Sequence, residues 1–144
     1  MIYTSYFAKM KKFPDNFYPV AICQYPPKWY TGPVYKKLAP TWDILREYKE
    51  SNKSEEEKQE RYLERFRGEI LSKVPEVSQM VRELECAAGI KQDENTHIVL
   101  LCFEKTGDFC HRNEVASYFT ERGVCVREAT EEDFQQEKNG YELE

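Results

Sequence analysis

The sequence predicts a small three-layer α/β/α fold with a mostly parallel sheet, built as one domain over residues 1–144. Three observations carry this. Residues 97–103, HIVLLCF, form a near-continuous β-favouring apolar run, the pattern of a central strand covered on both faces. A helical stretch and a second strand-like stretch follow, so these two strands should be parallel with a right-handed crossover. Between residues 41 and 89, apolar side chains recur at helical spacing.

The elements follow in order. Ile2 to Phe7 reads as the first strand, a basic turn (Lys9, Lys11, Lys12) comes next, and Val20 to Cys23 is a second short strand. Gln24 to Pro40, QYPPKWYTGPVYKKLAP, holds four prolines, one glycine and four aromatics, with no period of a strand or helix. A loop of this length inside a domain is expected to be functional or mobile.

Thr41 is the expected N-cap of a helix with Trp42, Leu45 and Tyr48 on its inner face. Ser54 with Glu57 forms a capping-box pattern, and Tyr62, Leu63, Phe66, Ile70 and Leu71 repeat behind it. Pro75 opens the next helix, with Val77, Met80, Val81 and Leu84 inward and Gly89 closing it. After strand 97–103 come a helix from Arg112 to Arg122, ended by Gly123, and a strand from Val124 to Arg127. Thr130 caps a last short helix through Phe134, and residues 135–144 read as a loose acidic tail.

Composition narrows the function classes. With 33% charged and 40% apolar residues the chain is a soluble globular type. Its 21 basic and 26 acidic side chains leave a net charge of −5, which disfavours nucleic acid or anionic lipid as a globally steered partner. A local basic patch can still take phosphate. No apolar run approaches membrane-spanning length, and the N-terminus lacks the apolar core of a secretion signal. Five cysteines is an odd count without zinc-finger pairing, so the expected compartment is the reducing cytoplasm, with Cys102 and Cys125 as small buried hydrophobes. Nothing in the sequence sets the oligomeric state.

In open α/β sheets, ligands bind beyond the carboxyl ends of the strands. Here that position delivers Cys102, Phe103 and Glu104, then a loop with Gly107, then Cys110, His111 and Arg112 at the start of a helix. A helix start offers unpaired N–H groups and a positive dipole end, so the cations His111 and Arg112 run against local preference there. An anion would relieve both, Arg112 having a fork suited to phosphate and Gly107 letting the backbone approach a ligand. The competing reading pairs Arg112 with Glu104 or Asp108 to pin the loop.

Cys110 likewise has two readings. A thiol at a helix start beside His and Arg should be acidic and reactive, making it a nucleophile with His111 or Glu104 handling protons. Otherwise it packs the loop onto the sheet. The cysteine-phosphatase pattern is missing, since Ala116 stands where that pattern has arginine, and there is no Walker lysine loop or dinucleotide glycine triplet. Zinc would need Cys102, Cys110 and His111 with a fourth ligand from Cys86 or Cys23. Neighbouring Cys110 and His111 rarely both reach one ion, so neither metal nor cofactor is expected. His97 reads as an edge residue. In the aromatic loop, Lys28, Trp29 and Tyr30, with Tyr35, Lys36 and Lys37, interleave stacking faces with cations, as a base or single strand would require. The alternative has Trp29 and Tyr35 anchoring the loop on the core.

The stretch LLCFEKTGDFCHR resembles a bacterial and phage family known as domain of unknown function 488, in which a strand ends in cysteine and glutamate and Cys-His-Arg opens a helix. The matching positions are Cys102, Glu104, Cys110, His111 and Arg112. The opening strand IYTSYF and the segment with Pro26, Pro27, Trp29, Tyr30 and LAPTW are also similar to it. One departure is that Cys23, Gln24 and Tyr25 stand where many members carry Asp-x-Arg. The resemblance implies an α/β fold and a shared polar site, and implies no activity.

The leading functional expectation is an enzyme acting on a phosphate-bearing small molecule, a nucleotide or a nucleic-acid end. Glu104, Cys110 and His111 would be catalytic, with Arg112, Gly107, Trp29, Tyr30 and Lys28 binding the substrate. The rival is a non-catalytic module that grips a protein or single strand with the 24–40 loop while Cys-His-Arg braces the fold. A third class is a thiol-redox or metal-binding protein.

Overall fold

A computed structural model describes residues 1–135; the tail expected from 135 onward lies, but for its first residue, outside the described residues. Four strands, β1 (Ile2–Tyr6), β2 (Phe17–Ala21), β3 (His97–Cys102) and β4 (Val126–Glu128), form one sheet in the order β2-β3-β1-β4. Every pairing is parallel, with Ile2 opposite Ile98 and Val126, and Phe17 opposite His97. Four helices join them: α1 (Trp42–Glu50), α2 (Glu55–Arg65), α3 (Val77–Ala88) and α4 (His111–Glu121). No helix among the described residues is long and apolar enough to cross a membrane.

β3 is buried at every position, as its unbroken apolar run requires. His97 is buried too, its ring held between Tyr3 and Phe17, which corrects its expected place at an edge. β2 lies earlier than expected because it tolerates Pro19. It is the edge strand, where a missing N–H breaks no central ladder. The aromatic loop then turns back along it, with Ala21 N–H donating to the Pro33 carbonyl and Tyr35 N–H to that of Ala21.

The direction of the connections decides which face each element covers. The chain steps from β1 across β3 to β2, then reverses, stepping from β2 to β3 and from β3 across β1 to β4. With right-handed crossovers, α1–α4 must share one face and the β1–β2 connection the other. The two apolar clusters agree. Ile44, Tyr62, Phe66, Met80, Leu84, Val115 and Phe119 pack on one face with Val20, Ile98 and Leu100. Phe7, Tyr30 and Phe134 pack on the opposite face with Tyr3, Val99 and Leu101. The second layer is therefore thin: a 3-10 turn (Phe7–Lys12), part of the aromatic loop and a helical turn at 131–135.

Local signals explain the helix ends. Thr41 accepts a hydrogen bond from the Ile44 N–H, and Ser54 accepts one from the Glu57 N–H. In α1 the deeply buried side chain is Ile44; Trp42 is exposed, correcting its expected inner position. α2 does not run on as one helix but passes into a π turn (Phe66–Ile70), whose extra residue lets both Phe66 and Leu71 face inward. Gly89 and Gly123 close α3 and α4 with positive φ. Cys125, expected inside a strand, is exposed just before β4.

Candidate functional site at the carboxyl ends of β1 and β3

The strand order reverses between β1 and β3, whose connections leave on opposite faces, the position at which open α/β sheets form a ligand crevice. β3 brings Cys102 to its floor and releases Glu104 at its rim, and the loop 103–109 returns to place Cys110 as the residue preceding α4. Gly107 sits in that loop at φ +97, so a glycine is needed there for the turn itself, and its position faces open space.

Arg112 is the most constrained side chain of the site. It is 1% exposed, and its fork points inward: Nε and Nη2 donate to the two Glu128 carboxylate oxygens at 2.9 Å each, and Nη1 donates to the Glu104 carbonyl at 2.5 Å. Its guanidinium also lies 5.8 Å from the centre of the Tyr6 ring. Burial opposes the charge of both partners, yet their mutual hydrogen bonds keep the Glu128 carboxyl below the usual range and Arg112 above its own. Thr4 and Thr106 add hydrogen bonds to Glu128 at 2.6 and 2.7 Å. A bidentate pair of this kind ties β4, β1, the loop and α4 into one unit. The structure thus pairs Arg112 with Glu128 rather than with the Glu104 or Asp108 side chains.

Beside it lies a buried sulfur–imidazole cluster. His111 Nδ1 is 3.8 Å from both Cys102 Sγ and Cys110 Sγ, Nε2 is 3.6 Å from Cys102 Sγ, and Nε2 lies 2.7 Å from the Ile22 carbonyl oxygen. A carbonyl only accepts, so Nε2 carries a proton, and Nδ1 is the nitrogen that both sulfurs share. The donor atoms of all three side chains fall within 4.8 Å of one another, so adjacent Cys110 and His111 do reach one point, against the expectation from their spacing.

The two thiols titrate as a pair. A hydrogen bond from Cys102 and the nearby His111 pull the Cys110 thiol well down against its burial, while burial and Cys110 push Cys102 up. Of the pair, Cys110 is the more acidic thiol, at the positive end of α4. Glu104, exposed at the rim, has its carboxyl raised by desolvation and by the charge of Cys110. Cys23, buried beyond β2, is pushed up to about 11 by burial, then by Glu104 and Cys110. Cys86 is an exposed thiol on α3, so of the two further zinc ligands considered only Cys23 is near.

Aromatic rings wall both sides. Phe66 meets His111 edge-on at 5.4 Å, and Tyr48 and Tyr62 pack on Phe109 at 5.3 and 5.1 Å. Across the crevice Phe7 contacts Phe103, Tyr30 and Trp29. Trp29 and Phe103 are 59% and 53% exposed, and Lys28 is also exposed. Tyr30 is buried with its hydroxyl donating to the Pro33 carbonyl, and Tyr35 is buried with its hydroxyl donating to Glu83. Tyr30 and Tyr35 anchor the loop, while Trp29, expected as an anchor, stays largely in solvent.

Sequence reasoning placed Cys102, Glu104, Cys110, His111 and Arg112 together and missed Glu128, Cys23 and the Tyr48–Tyr62–Phe109 wall. Glu128 had one legible signal: an acid at the carboxyl end of the strand that follows α4. Tyr62 followed the helical period and read as ordinary core.

A family model described as the active DUF488-N3 subclade matches residues 18–123, from β2 through α4. No curated protein and no solved structure matches the chain. With most of its length matched, the site included, the chain belongs to the domain of unknown function 488 family.

Proposed function

We propose that this protein is an enzyme acting on a phosphate-bearing small molecule, a nucleotide or a nucleic-acid end, with the crevice at the carboxyl ends of β1 and β3 as its active site. The observation that carries the reading is the convergence of Cys110, His111 and Cys102 at the start of α4 beneath the Glu104 carboxyl. The matched subclade is described as active, in line with this. Glu104, an exposed acid that feels the charge of Cys110, carries the proton to or from substrate. The phosphate is held by the N–H groups that open α4 rather than by the Arg112 fork, which is spent on Glu128. Arg112 is thus a positioning residue, and Lys28 and Trp29 receive the rest of the substrate. In a reducing cytoplasm the five cysteines stay as thiols.

The test is to incubate the protein with nucleoside mono-, di- and triphosphates and short end-phosphorylated oligonucleotides, and to identify products by mass spectrometry. The wild type should convert a member of this set, and Glu104→Gln, at an exposed position, should lose turnover while keeping its melting temperature. Absence of turnover across the set, or equal turnover by Glu104→Gln, would refute the assignment.

A second reading has its own observation. Trp29 and Phe103 expose aromatic faces about Phe7, while Arg112, Cys110 and His111 are buried like a brace. A binding module for a single strand would use those rings. Under it, Trp29→Ala and Phe103→Ala weaken oligonucleotide binding, and Glu104→Gln changes nothing.

A further inference from the structure

We propose that Cys102, Cys110 and His111 form a three-ligand site for a divalent transition-metal ion of the zinc class. Three features of the geometry point there.

The donor spacing is the first. In a tetrahedral shell with bonds of about 2.3 Å to sulfur and about 2.1 Å to nitrogen, neighbouring donors stand about 3.6 to 3.8 Å apart. His111 Nδ1 is 3.8 Å from each sulfur, and the whole set spans no more than 4.8 Å. An ion at their centre needs only small side-chain adjustments.

The second is the orientation of the imidazole. The Nε2 proton goes to the Ile22 carbonyl at 2.7 Å, which leaves Nδ1, 3.8 Å from both sulfurs, as the nitrogen available to ligate. A ligating histidine typically donates its other N–H in this way, fixing tautomer and ring angle. Phe66, edge-on to the ring at 5.4 Å, limits its rotation.

The third is charge. Two thiolates and a neutral imidazole cancel a divalent cation, so the filled site is neutral, as its buried surroundings favour. Binding then balances as release to solvent of whatever protons the ligating atoms carry. Sulfur and imidazole together select zinc-class ions over magnesium or calcium.

Two sulfurs and one imidazole leave one place for water or a substrate oxygen, the pattern of catalytic rather than structural sites. Glu104 and Cys23 both feel the charge of Cys110 but stand outside the three-residue cluster. What fills the fourth position rests on the enzyme reading above; ion binding itself does not.

The test uses the full chain without a histidine tag, stripped with a chelator, and titrated with cobalt(II) as a spectroscopic probe and then with zinc(II). The expected result is one equivalent of cobalt with a thiolate charge-transfer band and tetrahedral visible bands, displaced by zinc. Cys86→Ser, outside the cluster, should behave as wild type, and Cys110→Ser should lose the band. Failure of the wild type to bind either ion, or an unchanged cobalt spectrum in a folded Cys110→Ser, overturns the proposal whatever the other variants do. Because no substrate is present, that failure is separable from failure of the enzyme reading.

Discussion

Arg112 and Glu128 show how one ion pair can organise a site. Replacing either leaves a buried charge without its partner, which costs about 3 to 5 kcal/mol in comparable pairs, at the lower end here because the Glu128 side chain is 22% exposed. Arg112→Ala should therefore lower denaturation free energy by about 3 kcal/mol, and Arg112→Lys should recover little of it, since an ammonium cannot bridge both carboxylate oxygens. Chemical denaturation of both variants checks this, and full recovery by lysine would contradict the bidentate assignment.

The same pair sets a pH dependence. The Glu128 carboxyl is lower in the folded state than its ordinary value, so its contribution is complete above the ordinary carboxylate range. That contribution disappears as pH falls through the folded value, and Glu128→Gln should flatten the acid limb of a stability–pH curve. At this scale the sequence was informative about identity and silent about partners. Cys102, Glu104, Cys110, His111 and Arg112 lie within eleven residues of chain, and strand-then-helix order alone brings them together. Glu128 is 16 residues beyond Arg112, and its pairing depends on where β4 enters the sheet.

Helix starts were legible because a cap is a local event. Thr41 and Ser54 each accept a first-turn N–H, and Ser54→Ala should cost about 1 kcal/mol in urea denaturation, a loss that a spectator serine would not show. Strand limits were less legible where tertiary position overrides local chemistry, as at Pro19, which is harmless only because β2 is an edge. The π turn after α2 and the outward Trp42 escaped detection for a related reason: apolar spacing marks a face, and packing decides which members occupy it. In the loop before α4, Gly107→Ala forces a side chain into a left-handed conformation. The variant should lose about 1 to 2 kcal/mol of stability in denaturant titration, through the backbone alone, since its Cβ would meet open space.

At the scale of the whole molecule, the sheet order does the most to shape the candidate site. An apolar central strand followed by a helix and another strand sufficed to predict a parallel sheet. The order β2-β3-β1-β4 then separates the helical face from the thin aromatic face and sends the connections from β1 and β3 to opposite sides. That order was not legible, because it depends on long-range pairing of a short first strand. Nor was the closeness of Cys23, which β2 brings in from the far side of β3.

The most direct test of the account is an amide NMR titration of the 17.2 kDa protein with nucleoside monophosphates and inorganic phosphate. The account predicts that signals from residues 104–113, the rim of β3 and the first turn of α4, shift saturably while those of α3 stay in place. Shifts confined to residues 24–40, or none at all with any phosphate ligand, would contradict it.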